Sequence, residues 1–302
     1  KTALQICQSW RYRYISCNCI DTAFCNKKDT VLCSVVNSMS VFLDKNHLTN
    51  HINSDSLKIK LTRSLDMVDS VLRNYEIKHT KFMDPFECSS LVSILKGIDG
   101  LSFHESGGYE ESERKIVYIY PDYFKPEDIP SAISMIRITG NFKYRDVGHR
   151  DYLGSILSLG INRENIGDIC INTDGVYVVI LENFKDYILK KKKKIANVRI
   201  QKSEYDIDAF LYEEPEYSEH SYSVSSIRID SILSSGFDIS REKAQNLIKN
   251  ENVRVNHEVI SVSSKIPKEG SVISVKGYGR IIFAGEICVT KKNKIRIMIK
   301  KY

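Results

Sequence analysis

Polar and basic residues near the C-terminal end of the chain have types and spacing that suit binding of a phosphate backbone. Ser240 and Arg241 stand at the start of a predicted helix. Backbone N–H groups, the positive end of the helix dipole and a guanidinium can face one phosphate there. Lys276 and Arg280 flank a turn with two glycines, which allows close approach of the backbone. The predicted chemistry is phosphate capture without a covalent step.

Other side chains of the same stretch can bind bases, sugars or further phosphates. Gln245 and Asn256 both donate and accept hydrogen bonds, which suits base edges or 2′-hydroxyls. The predicted RNA-binding set is Arg228, Ser240, Arg241, Lys243, Gln245, Lys249, Arg254, Asn256, Lys265, Lys276 and Arg280, with His149, Arg150 and Arg163 as a secondary set.

Positive charge is concentrated in the same part of the chain. Val224 to Tyr302 contain 15 Lys and Arg against 7 Asp and Glu, whereas the preceding residues contain 29 against 31. The formal charge of +6 for all 302 residues therefore comes from the C-terminal quarter. Such a concentration predicts a polyanionic partner. A merely solvated basic surface is the alternative that charge alone leaves open.

Patterns along the chain predict the elements that position these residues, within an α+β fold. Residues 1–38, which hold five of the eight cysteines, are predicted to be a non-native or disordered leader before a start at Met39. Residues 39–110 are predicted to be a helical region. Leu57, Leu61 and Leu65 recur at helical spacing, and Asp84 followed by Pro85 marks a helix start.

The remaining chain is predicted to form two domains joined by a linker. Strand, helix, strand, strand, helix and strand follow one another in residues 111–207, which predicts a ferredoxin-like (RRM-like) domain. Its aromatic RNA-binding signature is absent, with Tyr177 the one candidate for base stacking, so a scaffold or protein-docking role stays open. Residues 208–223 are predicted to be an acidic linker, and 224–302 an RNA-binding domain of two helices on a small sheet.

Catalytic motifs are weak. The H-R-D string at 149–151 lacks its companion kinase motifs, and Asp151 is better explained as a residue that caps or orients a helix. The glycines of GGYEES at 107–112 are a weak match to a cofactor loop. We therefore expect no enzyme, metal, cofactor or small-molecule substrate. The longest apolar runs are too short to span a bilayer, which predicts a soluble, cytoplasmic protein without a membrane partner. We also expect a monomer.

The stretch from Ser225 to Phe283 closely resembles the RNA-binding domain named after ribosomal small-subunit protein four. That family's pattern begins R-L-D, continues S-R-x-x-A-x-x-L-I and then V-x-V-N, with a glycine after the Asn and a later G-D. The matching residues are Arg228, Asp230, Ser240, Arg241, Ala244, Leu247, Ile248, Val253, Val255 and Asn256. The sequence departs from the family at Glu251 and His257, where glycine is usual, and at Ser271, where aspartate is usual.

A wider resemblance covers most of the chain after Met39. GGYEESERK at 107–115 and HRDYLGSILSLGINRENIGDI at 149–169 are similar to segments of the YlmH-type bacterial proteins, which carry this RNA-binding domain last. The resemblance implies contacts to ribosomal RNA and transfer RNA on the large ribosomal subunit, in rescue or quality control of obstructed peptidyl-tRNA. The alternatives are a protein-interaction adaptor anchored by RNA, for example in cell division, and an enzyme of the pseudouridine synthase type.

Overall fold

The structure, a computed structural model, describes residues 43–52, 54–141, 147–191, 194–195, 198–289 and 294–301. The predicted leader and the start at Met39 lie outside the described residues. From Asp44 onward the chain forms one compact unit. Its helices are α1 (Lys45–Thr49), α2 (Asp55–Asn74), α3 (Pro85–Leu95), α4 (His149–Leu157), α5 (Lys185–Lys190), α6 (Ile229–Gly236) and α7 (Arg241–Lys249).

The strands follow in chain order. They are β1 (Lys78–His79), β2 (Leu101–Ser106), β3 (Ile116–Pro121), β4 (Ile133–Gly140), β5 (Ile166–Asn172), β6 (Gly175–Leu181), β7 (Lys194–Ile195), β8 (Val198–Tyr205), β9 (Ser218–Val224), β10 (Val253–Val255), β11 (Glu258–Val259), β12 (Ser271–Val275), β13 (Gly279–Val289) and β14 (Ile295–Lys301). Within the described ranges, none of the helices has the length and apolar character needed to cross a membrane.

The N-terminal part combines helices α1 to α3 with a sheet in the order β1-β3-β2. The leucine stripe of α2 is buried, as its spacing predicts. Asp84 accepts a hydrogen bond from the Glu87 amide and Glu87 returns one to the Asp84 amide, which confirms the predicted start of α3. The predicted boundary after residue 110 is wrong, because β3 lies beyond it and completes this sheet. All six β3 residues are buried, and periodicity alone does not assign such a run to one neighbouring sheet.

The middle part has the ferredoxin-like arrangement that the sequence predicts. Its sheet has the order β5-β6-β4-β8-β7, with antiparallel neighbours. Tyr152 and Ile156 of α4 and Ile188 of α5 pack on one face against the sheet residues Ile136 and Val178. The α+β class is confirmed.

The other face of the middle sheet is covered by protein. Met135, Tyr177 and Val179 of this face are buried together with N-terminal residues such as Phe82. Phe210 also packs there, with its ring centroid 5.0 Å from that of Tyr177. Tyr177 is only 3% exposed, so the suggestion that it stacks bases is wrong. RNA-recognition domains of this topology bind bases on that sheet face, and RNA would have to approach this domain elsewhere.

The C-terminal part packs α6 and α7 against a sheet in the order β11-β10-β12-β13-β14-β9. Ile229, Ile232 and Leu233 of α6 are fully buried in its core. Residues 218–224 form β9, which pairs with β14 from Val224 to Ser218. The predicted linker over 208–223 is therefore too long. β9 is mostly exposed and rich in serine, so its composition does not distinguish it from a linker.

Candidate nucleic-acid interface

A fully buried carboxylate organises the start of the C-terminal domain. Asp230 accepts hydrogen bonds from Arg241 Nε at 3.0 Å and from Gln245 Nε2 at 2.9 Å. Arg228 Nε lies 3.5 Å from the same carboxylate. Burial opposes ionisation of Asp230, but the hydrogen bonds from Arg241 and Gln245 outweigh it and hold the pKa of that carboxyl below its ordinary value. Arg228, Arg241 and Gln245 thus have a structural partner within the domain.

Helix α7 presents its first turn to solvent. Ser240 caps the helix by accepting a hydrogen bond from the Lys243 amide at 3.1 Å, as predicted. Arg241, Lys243 and Lys249 are exposed, whereas Ala244 and Ile248 are buried in the core. The helix therefore shows a basic outer face above an apolar inner one.

The turn between β12 and β13 lies beside this basic face. It carries Lys276 and Tyr278, both exposed. The Lys243 ammonium lies 5.4 Å from the centroid of the Tyr278 ring. This contact brings two predicted phosphate ligands from separate elements to one place. Tyr278 is absent from the predicted set, although an aromatic residue between two glycines and two basic residues was a signal for it.

Asn256 and Lys265 have partners within the domain as well. Asn256 Oδ1 accepts a hydrogen bond from the Val272 amide at 2.9 Å, and Lys265 Nζ lies 3.1 Å from Glu258. Asn256 and His257 both have positive φ values, 49° and 71°. The chain therefore keeps the left-handed turn of the family pattern without its glycine.

Glu113 joins the C-terminal domain to the rest of the chain. Its carboxylate lies 2.7 Å from Arg280 Nη1 and 3.3 Å from His257 Nε2. Burial opposes ionisation of Glu113, but the hydrogen bond from Arg280 and the nearby positive charges keep its pKa below the ordinary value. Arg254 makes a longer contact of the same kind, 3.8 Å from Asp84. Two N-terminal carboxylates thus face predicted RNA-binding cations.

The secondary set lies partly at this junction. Burial lowers the pKa of His149, and the charges of Arg163 and Arg280 lower it further. Arg163 donates to the Gly167 carbonyl at 3.0 Å, and its burial together with the charge of Arg114 lowers its pKa to about 10. Arg150 is exposed in the first turn of α4. Asp151 Oδ2 accepts from the Gly148 amide at 3.0 Å, which confirms its predicted role at the helix start.

The glycine-rich segment at 107–115 is a structural loop. Asp168 accepts hydrogen bonds from the Glu113 amide at 2.6 Å, the Arg114 amide at 3.2 Å and the Tyr109 hydroxyl at 3.0 Å. A Cβ on Gly107 would lie 2.6 Å from the Arg114 carbonyl oxygen. The loop's own atoms therefore occupy the space beside Gly107. Asp168 fixes the backbone conformation at Glu113. Among the described residues, no group of three or more His, Cys, Asp or Glu side chains could hold a metal ion.

Three known families match the chain in succession. Residues 58–124 match the family described as "YlmH, N-terminal", and residues 126–209 match "Putative RNA-binding domain in YlmH". Residues 227–273 match "S4 domain". The chain belongs to the YlmH-type proteins. It is thus an RNA-binding protein, in which the S4 match follows the two YlmH matches.

The chain is also similar to a characterised protein and to a solved structure. The YlmH-type chain is 28% identical over 242 residues to "Ribosome-associated protein quality control protein P2" of Bacillus subtilis (strain 168), a match that covers 80% of the chain and 93% of the relative. A solved structure, "Cell division protein ylmH from Streptococcus pneumoniae", is 27% identical with a TM-score of 0.44, and the match covers 51% of this chain and 94% of that one.

Proposed function

We propose that this YlmH-type chain is a ribosome-associated factor that binds ribosomal RNA and transfer RNA on the large subunit. It acts as a monomer, through the basic face of its S4 domain, in rescue or quality control of obstructed peptidyl-tRNA. The name of the Bacillus subtilis relative, with its match along 93% of that protein, supports the ribosomal target. A ribosomal target places the protein in the cytoplasm.

The observation that carries the proposal is the exposed basic face around α7 and the β12–β13 turn. Lys243 and Lys276 stand there in solvent, and Asp230, which contacts Arg241 and Gln245, has no exposed surface. A phosphate would meet cations on this face, while the carboxylate is screened from it by Arg241 and Gln245. Neutralisation of phosphates by such cations supplies much of the affinity in nucleic-acid binding.

The structure also supports a role without catalysis. The string R-I-D at 228–230 faintly resembles the R-L-D of pseudouridine synthases, in which the aspartate is catalytic. Asp230 is buried and held by Arg241, which leaves it no access to a base. The thiols of Cys88 and Cys170 are buried, and burial raises their pKa values to about 12 and about 11. A thiol with such a pKa is a poor nucleophile at neutral pH.

Sedimentation of tagged protein from cell extract in sucrose gradients at low and high salt, with sequencing of the RNA in the peak fraction, tests the proposal. We expect migration with large subunits that carry transfer RNA at low salt, and release at high salt because phosphate contacts weaken. A double variant, Lys243→Ala with Lys276→Ala, should leave the particles at lower salt.

The matched control removes two exposed lysines of the N-terminal and middle parts, by Lys96→Ala with Lys125→Ala, and should behave as the wild type. Migration of the wild type as free protein at both salt concentrations would contradict the ribosomal assignment. Equal sensitivity of the two variants would place the RNA contacts outside the S4 face.

A further inference from the structure

Tyr278 is held at the tip of the β12–β13 turn between two glycines. The turn closes through a hydrogen bond from the Tyr278 amide to the Val275 carbonyl at 3.0 Å. Gly277 and Gly279 have φ values of +87° and +110°, and a Cβ added to either would meet nothing within 4 Å. Glycine is therefore needed for the backbone conformation, and no neighbouring atoms crowd the turn beside the tyrosine.

The Tyr278 ring is supported by the domain and yet accessible. Its centroid lies 5.8 Å from that of Phe237 with an interplanar angle of 62°, an edge-to-face arrangement that fixes ring orientation. Phe237 in turn packs on the apolar core of the S4 domain. The tyrosine keeps 37% of its surface exposed. A supported aromatic ring at the surface is what a stacking partner requires.

The cation beside the ring suggests which ligand this site takes. Lys243 lies over the ring at 5.4 Å from its centroid, and Lys276 is two residues away in the turn. An aromatic surface with adjacent ammonium groups matches a nucleotide whose base is unpaired, because the base can stack while its phosphate meets a cation. Bases within a regular duplex have their faces covered by their neighbours and do not fit.

We propose that the ring of Tyr278 stacks on an unpaired base of the bound RNA while Lys243 moves from the ring to a phosphate of the same strand. The inference rests on the proposed RNA-binding function and adds a preference for unpaired nucleotides. Lys243 is exposed and not part of the buried core, so its displacement from the ring is compatible with the fold. The contact gives the S4 domain a means to distinguish a bulge or loop from an uninterrupted helix.

Two RNA hairpins test the inference, one with a single bulged 2-aminopurine and one fully paired. Stacking on Tyr278 should change the 2-aminopurine fluorescence when the full-length wild type binds. Tyr278→Leu should weaken binding to the bulged hairpin by roughly 5- to 150-fold, the range measured for removal of one stacking aromatic. Tyr278→Phe retains the ring and should bind as the wild type does.

Two further results are expected for Tyr278→Leu that would not follow if Tyr278 served only to pack the domain. Tyr278→Leu should leave binding to the paired hairpin and the slope of log affinity against log salt unchanged, since no phosphate contact is lost. Equal weakening on both hairpins, or no effect on either, would overturn stacking while leaving RNA binding intact. A wild type that binds neither hairpin nor ribosomal RNA at low salt would overturn the proposed function and stacking together.

Discussion

Replacement of Glu113 by glutamine should tighten RNA binding. The change preserves side-chain size and the backbone hydrogen bonds to Asp168, and it removes the negative charge beside Arg280 and His257. In the wild type, a phosphate that binds Arg280 has to displace the Glu113 carboxylate, which lies 2.7 Å away. In the variant the competing group is neutral.

The expected gain in RNA affinity follows from the solvent exposure of the Glu113–Arg280 ion pair. The Arg280 and Glu113 side chains are 41% and 36% exposed, so the pair belongs with partly exposed ion pairs worth about 0.2–1 kcal/mol. Loss of that competition corresponds to a roughly 1.4- to 5-fold lower Kd. If Arg280 then neutralises an additional phosphate, the salt slope should steepen by about 0.7–0.9.

Fluorescence anisotropy with the bulged hairpin over a series of salt concentrations measures both quantities. Glu127→Gln is the matched control, because Glu127 is 74% exposed and pairs only loosely with Lys125 at 3.7 Å. A Glu113→Gln variant that binds no tighter than this control, with unchanged thermal stability, would refute the idea that Glu113 competes with RNA for Arg280.

Three further predictions concern stability. Asp230→Asn should lower the free energy of unfolding by about 1–3 kcal/mol at neutral pH, because Arg241 loses its buried anionic partner. The pKa of Asp230 is lowered in the folded protein. The ionised carboxylate therefore stabilises the fold above the pKa that it has in the unfolded chain, and this stabilisation is lost as the pH falls. The free energy of unfolding, measured over a series of acidic pH values, should show this loss in the wild type and not in the variant. Phe210→Ala should cost about 3–5 kcal/mol in denaturant unfolding, because it empties a site packed on Tyr177; an effect near zero would mean that the segment does not cover the sheet. Glu251 has a φ of 57°, in the left-handed region. Glu251→Gly should raise the free energy of unfolding by about 0.5–1 kcal/mol, because the backbone strain that glycine relieves exceeds the extra chain entropy that glycine loses on folding. A lower melting temperature would contradict this.

Local features of the fold could be predicted from the sequence because short-range physics determines them. Asp84 and Ser240 cap helices where their side chains reach amides three residues ahead. The alternation of strands and helices between Ser131 and Tyr205 also specified the ferredoxin-like order. Each of these signals lies within a few residues of the element that it defines.

Contacts between distant segments were beyond sequence reasoning. The Glu113 pair with Arg280 spans 167 positions, and no local spacing connects the two residues. The burial of Tyr177 under Phe210 depends on how the N-terminal sheet packs. Arg241 and Gln245 have the residue types of RNA ligands, and only the position of Asp230 shows that they also hold the domain together.

Ultraviolet crosslinking of the full-length protein to RNA in cell extract, followed by identification of the crosslinked peptides and RNA, tests the central claim most directly. The account predicts crosslinks to ribosomal or transfer RNA on peptides that contain α7 and the β12–β13 turn, with Tyr278 among the modified residues. Crosslinks confined to the N-terminal part, or RNA that is neither ribosomal nor transfer RNA, would contradict it.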